Sequence, residues 1–436
     1  MTRNIVLVTV DSLRADHCGF LDGDPATLTP TLDTLAEEGV VFENAIAPGP
    51  RTPSSMPASF TGEPMRPAED DGEDYWQRQR ARIRRHMQRH RSVAERLRDR
   101  GYATIGVTAN PWTQGTAFDA GFDRFVAVNG ETLESYGPPL FKRIDRGLHG
   151  TRLGDRLFWH NKREWFIRWT DFYDTITTGL AAASRPVFLW VFLLDTHQPY
   201  ITPRRFRRES SALGMYYASF TELSREGSIP GRVETRLRQA YRDSVRSTDA
   251  FIDRLWHDCA DDDPILVVHG DHGEAFGEHG TYGHERQLYG ENLHVPFLVA
   301  NAGQRARIRS PTSLRRLPNV ITALAERRSF DPVAFGTDFV TSTTENGEKT
   351  AVSGRHWRYI LNTDGEELYH LASDPYERTS VAAQFPAVAS SLRPLAERQH
   401  DDRHERVTIA DAARTTAVER REAVECRPNR GVVGNE

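Results

Sequence analysis

Residues 265–284 read ILVVHGDHGEAFGEHGTYGH. The apolar stretch 265–268 is a β-branched run of the kind buried in a parallel sheet. It stops at His269 and Gly270, and Asp271, His272 and Gly273 follow at once. In an open α/β sheet, ligands gather just beyond the carboxyl ends of the strands. A carboxylate and an imidazole therefore stand where chemistry is expected, and together they are workable donors for a divalent metal. His279 and His284 lie further along among glycines. A single Asp-His pair would suggest a polar turn with solvated histidines. Four histidines within residues 269–284, on a glycine-rich loop after a buried strand, favour a site.

Two other apolar runs end the same way. Residues 4–10 (NIVLVTV) lead straight into Asp11, and residues 186–194 lead into Asp195-Thr196-His197-Gln198-Pro199-Tyr200. A parallel sheet would gather Asp11, His197, Asp271 and His272 on one edge. A fourth element, residues 48–62 (PGPRTPSSMPASFTG), is a proline-shaped turn that can open a helix. A helix N-terminus offers N–H groups and a positive dipole end to an oxyanion. Thr52 precedes that helix. Its local context suggests a helix cap; next to a metal its hydroxyl becomes a nucleophile.

The positioning elements follow from periodicity. A helix is expected from Thr29-Pro30 to the stop at Gly39, with Leu32, Leu35 and Ala36 on one face, and then a strand over 40–45. Helical periodicity around Val93 and Leu97 stops at Gly101 and leads into a strand over 102–108. Residues 233–259 form a long amphipathic helix that feeds the strand at 265, and 295–299 is a further strand. Residues 354–360 and 367–371 suit antiparallel strands of a small subdomain. The expected fold is α/β: a large, mostly parallel sheet flanked by helices, with a small C-terminal antiparallel-sheet subdomain. Its expected parts are a catalytic domain over 1–309 with a helical insertion at about 130–183, an α+β subdomain over 310–399, and a charged tail over 400–436 that is peripheral or disordered.

The chain has 436 residues, 38% hydrophobic and 27% charged, which describes a soluble globular protein. The net charge of -5 gives no argument for nucleic acid or an anionic membrane. Of 56 basic residues, only Lys142, Lys162 and Lys349 are lysine, so anion contacts must come from arginine, histidine, backbone N–H or metal. Cys18, Cys259 and Cys426 form neither a disulfide framework nor a zinc motif. No secretory signal precedes the first strand, and the longest apolar run is too short to span a bilayer. A cytoplasmic protein of unspecified oligomeric state is expected.

With these residues in view, the chain resembles the sulfatase family of the alkaline phosphatase superfamily. VLVTVDSLRADHCG is similar to the family's first metal-binding strand end. TPTLDTLAEEGVVFENAIAPGPRTPSSMPASFTG resembles its nucleophile segment, and DTHQPY its D-x-H-x-P-Y element. HGDHGEAFGEHGTYGHERQLYGENLHVPFLV resembles its second metal strand and substrate loop, and ELYHLASDPYER its C-terminal signature. These matches run in family order over roughly residues 1–380. The resemblance implies Asp11, Asp271 and His272 as metal ligands, with Thr52 at the nucleophile position and also facing the metal. It places His197 and His284 where the family binds the ester anion, His284 standing for a usual lysine.

The chain departs from the family pattern in several places. Where sulfatases carry Cys or Ser in C-x-P-S-R, converted to formylglycine, this chain has Thr52-Pro53-Ser54-Ser55-Met56. No formylglycine is expected, because threonine is not a substrate for that conversion. Met56 replaces the family's arginine, although Arg51 is adjacent, and Ser12 replaces the second aspartate. The lysine and histidine of the next strand are missing, with Asn110 nearby. The resemblance thus implies a hydrolase of sulfate or phosphate esters that uses Thr52 and one divalent metal ion (Ca, Mg, Mn or Zn) on a small-molecule or glycan anionic ester. The alternatives are a phosphodiesterase or phosphonate monoester hydrolase, a phospho-group transferase, and a degenerate relative that binds anions or glycans without turnover. His197 and His284 are expected to flank Thr52 and to strengthen anion binding as they protonate near pH 6.5.

Overall fold

The structure is a computed structural model describing residues 2–21, 28–67, 74–129, 167–183, 186–224, 228–326 and 330–398. Its centre is an eight-stranded sheet. In chain order the strands are β1 (Ile5–Val10), β2 (Val40–Phe42), β3 (Ala103–Thr108), β4 (Arg124–Ala127), β5 (Val187–Leu193), β6 (Ile265–Gly270), β7 (Phe297–Ala300) and β8 (Ala306–Ile308). Their order across the sheet is β8-β2-β7-β6-β1-β5-β3-β4. Only β7 runs antiparallel to its neighbours.

The central strands are continuous apolar runs because both of their faces are covered. Val6, Val8 and Val10 of β1 enter one core, while Ile5 and Leu7 enter the other. The first core is roofed by the helices Pro30–Glu37, Trp169–Ala182, Ala212–Leu223 and Gly231–Asp258. The second is roofed by Thr52–Thr61, Tyr75–Arg89, Val93–Arg98 and Leu317–Ala325. Each fully buried Val or Leu contributes about 1.5–3 kcal/mol. That makes β1, β5 and β6 a rigid platform for whatever their carboxyl ends carry.

The small sheet is an antiparallel meander of β9 (Val340–Thr343), β10 (Thr350–Ser353), β11 (Trp357–Asn362) and β12 (Gly365–His370). Ala351, Ile360 and Tyr369 turn one of its faces to the large unit. Val352, Tyr359 and Leu368 pack the other face against the helical residues 386–398.

Two expected strands are each divided. The one over 40–45 breaks after Phe42, and Ala45–Ile46 joins a separate three-stranded sheet. The one over 295–299 breaks at Pro296, which has no N–H to continue a ladder. Of the expected insertion, 130–166 lies outside the described residues, as does the tail 400–436. Among the described residues no helix is long and apolar enough to cross a membrane.

Candidate active site

Strand register sets the site. Val10 of β1 pairs with Leu193 of β5 on one side and with Gly270 of β6 on the other. The ladder runs one residue further: Asp11 N–H donates to the Leu193 carbonyl (3.0 Å) and Asp271 N–H to the Val10 carbonyl (3.1 Å). The two aspartates therefore leave the sheet side by side, both fully buried. The turn after β6 admits no larger residue at Gly273, where a Cβ would lie 2.0 Å from the Glu291 carbonyl oxygen. Ser12 takes a left-handed conformation (φ 60°), which a side-chain-bearing residue adopts only when its surroundings hold it there. The Ser12 N–H donates to Asp271 Oδ1 (3.0 Å), and the Tyr241 hydroxyl donates to the Ser12 carbonyl (2.8 Å).

Asp11, Asp271 and His272 each present a ligand atom, all within 4.8 Å of one another. His272 Nε2 is 3.6 Å from Asp11 Oδ1 and 3.6 Å from Asp271 Oδ2. Its Nδ1 faces the Gly273 carbonyl at 2.8 Å. A nitrogen facing a carbonyl carries the proton, so Nε2 is left as a bare acceptor. Burial, only partly offset by Asp11, takes the His272 pKa down to about 4. Burial and then the neighbouring Asp11 charge push the Asp271 carboxyl well above the usual range. Asp271 Oδ2 is buried without a hydrogen-bond partner. Two buried carboxylates sharing a site, one with an unpartnered oxygen, are costly unless a cation neutralises them. These residues therefore fit a divalent metal ion.

Thr52 is the first residue of the Thr52–Thr61 helix; the N-cap is Arg51, and no side-chain cap bond is made. The capping role suggested by local sequence is thus not the one observed. The Thr52 hydroxyl points instead to His272 Nε2 (3.2 Å) and Asp11 Oδ2 (3.5 Å). Ser55 fixes this helix end by donating to the Asp271 carbonyl (2.5 Å). His284 stands beside His272, ring centroids 4.9 Å apart, and His197 lies 5.0 Å beyond His284. The three imidazoles form a row that begins at Thr52. His284 Nδ1 is 3.1 Å from Glu274 Oε1. Burial, followed by His272, His197 and Arg51, holds the His284 pKa well below its ordinary value. The expectation that His284 would gain charge near pH 6.5 is corrected accordingly: it stays neutral there.

The remaining histidines of the loop are structural. His269 is buried between the Thr9 hydroxyl (2.9 Å) and the Gly270 carbonyl (2.9 Å). His279 bridges Glu291 Oε1 (2.6 Å) and the Glu377 carbonyl (2.9 Å). Three further residues shape the site. The Ser12 hydroxyl donates to Asp11 Oδ1 (3.0 Å), and Asn110 Nδ2 donates to Asp11 Oδ2 (2.5 Å). The Thr196 hydroxyl donates to the Asp11 carbonyl (2.5 Å). Ser12 and Asn110 were legible as departures from the family pattern, Asn110 lying two residues beyond β3. Met56 does not reach the site; it is fully buried in the second core.

The fold and this pocket define an alkaline-phosphatase-like α/β protein. The sulfatase family model matches residues 3–325, and the chain belongs to the sulfatase family. Arylsulfatase K of Gallus gallus is 27% identical over 212 residues, 41% of this chain and 39% of that protein. The match thus spans about two fifths of the length of such relatives. Human iduronate 2-sulfatase is 23% identical over 350 residues, 70% of this chain and 60% of that protein. Among solved structures, a putative sulfatase from Bacteroides thetaiotaomicron superposes with a TM-score of 0.67 at 14% identity, covering 93% of both chains. The phosphonate monoester hydrolase of Agrobacterium radiobacter gives 0.64 at 16% identity, covering 91% of this chain and 96% of that one. These last two likenesses concern the fold.

Proposed function

We propose that this chain is a metal-dependent hydrolase of sulfate or phosphate esters in which the unmodified Thr52 hydroxyl is the nucleophile. The observation that carries this reading is the Thr52 hydroxyl held against His272 Nε2 and Asp11 Oδ2, the donors that fit a metal. Asp11, Asp271 and His272 would hold the ion, with the Thr52 oxygen completing the set. When bound, a divalent ion supplies positive charge to the Thr52 oxygen and to the ester. Thr52 Oγ1 attacks phosphorus or sulfur in line with the leaving oxygen, at the positive end of its own helix; its proton passes to solvent, the bond to the leaving oxygen breaks, and water then cleaves the Thr52 ester to release the anion. His284, with Nδ1 engaged by Glu274, has Nε2 left for the ester; His197 stands next in the row. These two imidazoles hydrogen-bond the ester anion, and His197 protonates the leaving oxygen.

Threonine favours phosphoryl over sulfuryl substrates. Oxidation at its Cβ would give a ketone, which closes the formylglycine route and leaves an ester of the threonine oxygen as the covalent intermediate. An ordinary alcohol oxygen suits phosphate mono- or diesters and phosphonate esters.

The test is hydrolysis of an aryl sulfate, a phosphomonoester, a phosphodiester and a phosphonate ester with Ca²⁺, Mg²⁺, Mn²⁺ and Zn²⁺. Thr52→Ala should lose about 10³-fold or more of the rate, while Thr52→Ser keeps measurable turnover and both bind metal. A Thr52→Ala protein with the wild-type rate per folded molecule would refute the assignment.

A further inference from the structure

Arg51 immediately precedes Thr52, and its guanidinium is held in place. Arg51 Nη1 pairs with Glu345 Oε1 at 3.2 Å. The guanidinium also lies over the Tyr75 ring, 5.6 Å from its centroid, and the Tyr75 hydroxyl donates to Glu345 Oε1 at 3.1 Å. Arg286, two residues past His284, reaches Glu345 Oε2 at 3.4 Å. Glu345 is fully buried and follows β9 of the small sheet. One carboxylate thus faces two guanidiniums, one of them on the residue next to Thr52.

The Arg51 guanidinium has an unused donor. Arg51 Nε is buried without a hydrogen-bond partner. Such a group is costly to bury unless an acceptor arrives. Arg51 is the N-cap residue of the Thr52 helix, and Arg286, which shares Glu345 with it, lies two residues past His284. The guanidinium is charged at every working pH and its fork matches the oxygens of a sulfuryl or phosphoryl group.

We propose that Arg51, anchored by Glu345 and Tyr75, is the fixed cation that binds a non-bridging oxygen of the sulfate or phosphate ester at Thr52. It ties the anion pocket to the C-terminal sheet. This inference rests on the Thr52 site being the ester site, and the experiment separates the two.

Inorganic sulfate is the probe, because it stays doubly charged between about pH 6 and 8. Its binding to the metal-loaded full chain is measured by calorimetry for wild type, Arg51→Met, Arg51→Lys and Glu345→Gln. Thermal melts and metal titrations run alongside. Arg51→Met should weaken sulfate by about tenfold or more with metal affinity unchanged, and Arg51→Lys should recover part of the loss. Glu345→Gln should fall between wild type and Arg51→Met, since it frees the guanidinium without removing it. Wild-type affinity should be flat from pH 8 to 6. The inference is overturned if Arg51→Met binds sulfate as wild type does. It is equally overturned if wild type binds no sulfate, or if its affinity climbs as the pH falls, which would assign the charge to histidine. The pH profile needs no variant, so misfolding of Arg51→Met leaves the test intact. Thr52-dependent turnover that ignores Arg51→Met refutes this inference alone. Arg51-dependent sulfate binding in a protein whose turnover ignores Thr52→Ala refutes the nucleophile alone.

Discussion

Asp271→Asn separates the metal reading from a purely structural one. Asp271 Oδ1 accepts from the Ser12 N–H (3.0 Å) and the His272 N–H (2.8 Å), and an asparagine oxygen keeps both bonds. What asparagine removes is a buried charge beside Asp11 on an oxygen with no partner. In the metal-free protein that charge opposes folding. The folded carboxyl titrates well above its unfolded value, raised by burial and then by Asp11. Stability is therefore lost as the pH rises from about 4. Metal-free Asp271→Asn should lack that loss and melt at or above wild type at neutral pH. Metal reverses the order. At a free concentration of about 100 times Kd, a ligand adds about 2.7 kcal/mol to wild type. With about 2.1 cal/mol/K of unfolding entropy per residue, 436 residues convert that into a rise of about 3 °C. Asp271→Asn should show little or none of it. The assay is a pair of melts, with chelator and with metal, on both proteins. An Asp271→Asn protein that keeps the full metal-induced shift would refute Asp11, Asp271 and His272 as the metal set.

Two further outcomes follow from the contacts around the substrate loop. Arg358 and Glu377 are a buried pair, Nη1 to Oε2 at 2.9 Å, and Glu377 also accepts from the Gly290 N–H (2.5 Å). Glu377→Ala strands the guanidinium and should cost about 3 kcal/mol, read as a melting point lower by about 3 °C; an unchanged melt would refute the pair's role. Burial works against charge on His279, but Glu291 and the Glu377 carbonyl outweigh it and raise the pKa to about 9. Its folded pKa thus exceeds the unfolded value of about 6.5. The stabilisation is complete below that value and lost as the pH rises through about 9. His279→Gln should flatten this part of the stability–pH curve by about 1–2 kcal/mol. A curve unchanged by the substitution would show that the imidazolium stabilises nothing.

Legibility in the sequence tracked how local the cause was. β1, β5 and β6 were readable because burial on both faces forces near-continuous apolar runs. Their parallel register then brings Asp11 beside Asp271 without further information. Thr52 was ambiguous because cap statistics see only neighbouring residues, whereas its hydroxyl is oriented by Asp11 and His272. The charge on His284 was misjudged because burial and the flanking cations are tertiary properties. The Arg51–Glu345 pair was invisible for the same reason: nothing near either residue announces the other. The strand breaks after Phe42 and at Pro296 each mark a passage between sheets, and only the proline was a local signal.

The metal donors are held more by backbone than by side-chain reach. Ser12 replaces a carboxylate of the family pattern, yet its main chain does the positioning: the N–H fixes Asp271 and the carbonyl is fixed by Tyr241. A left-handed serine costs on the order of 1–3 kcal/mol, so it persists only where its neighbours over-determine it. Tyr241 supplies that constraint from the middle of the Gly231–Asp258 helix, and its hydroxyl also accepts from the Arg14 N–H at 3.0 Å. The ring of Tyr241 is fully buried in the first core. The second core, through Met56 and Phe60, holds the helix that aims Thr52. Thr52 and the cluster of Asp11, Asp271 and His272 are thus anchored from opposite layers of the sheet and meet at its carboxyl edge. Loss of a carboxylate at position 12 lowers the negative charge of the pocket without touching this frame. That frame is what the proposed site requires, one divalent ion held by Asp11, Asp271 and His272 and a guanidinium to answer the ester anion.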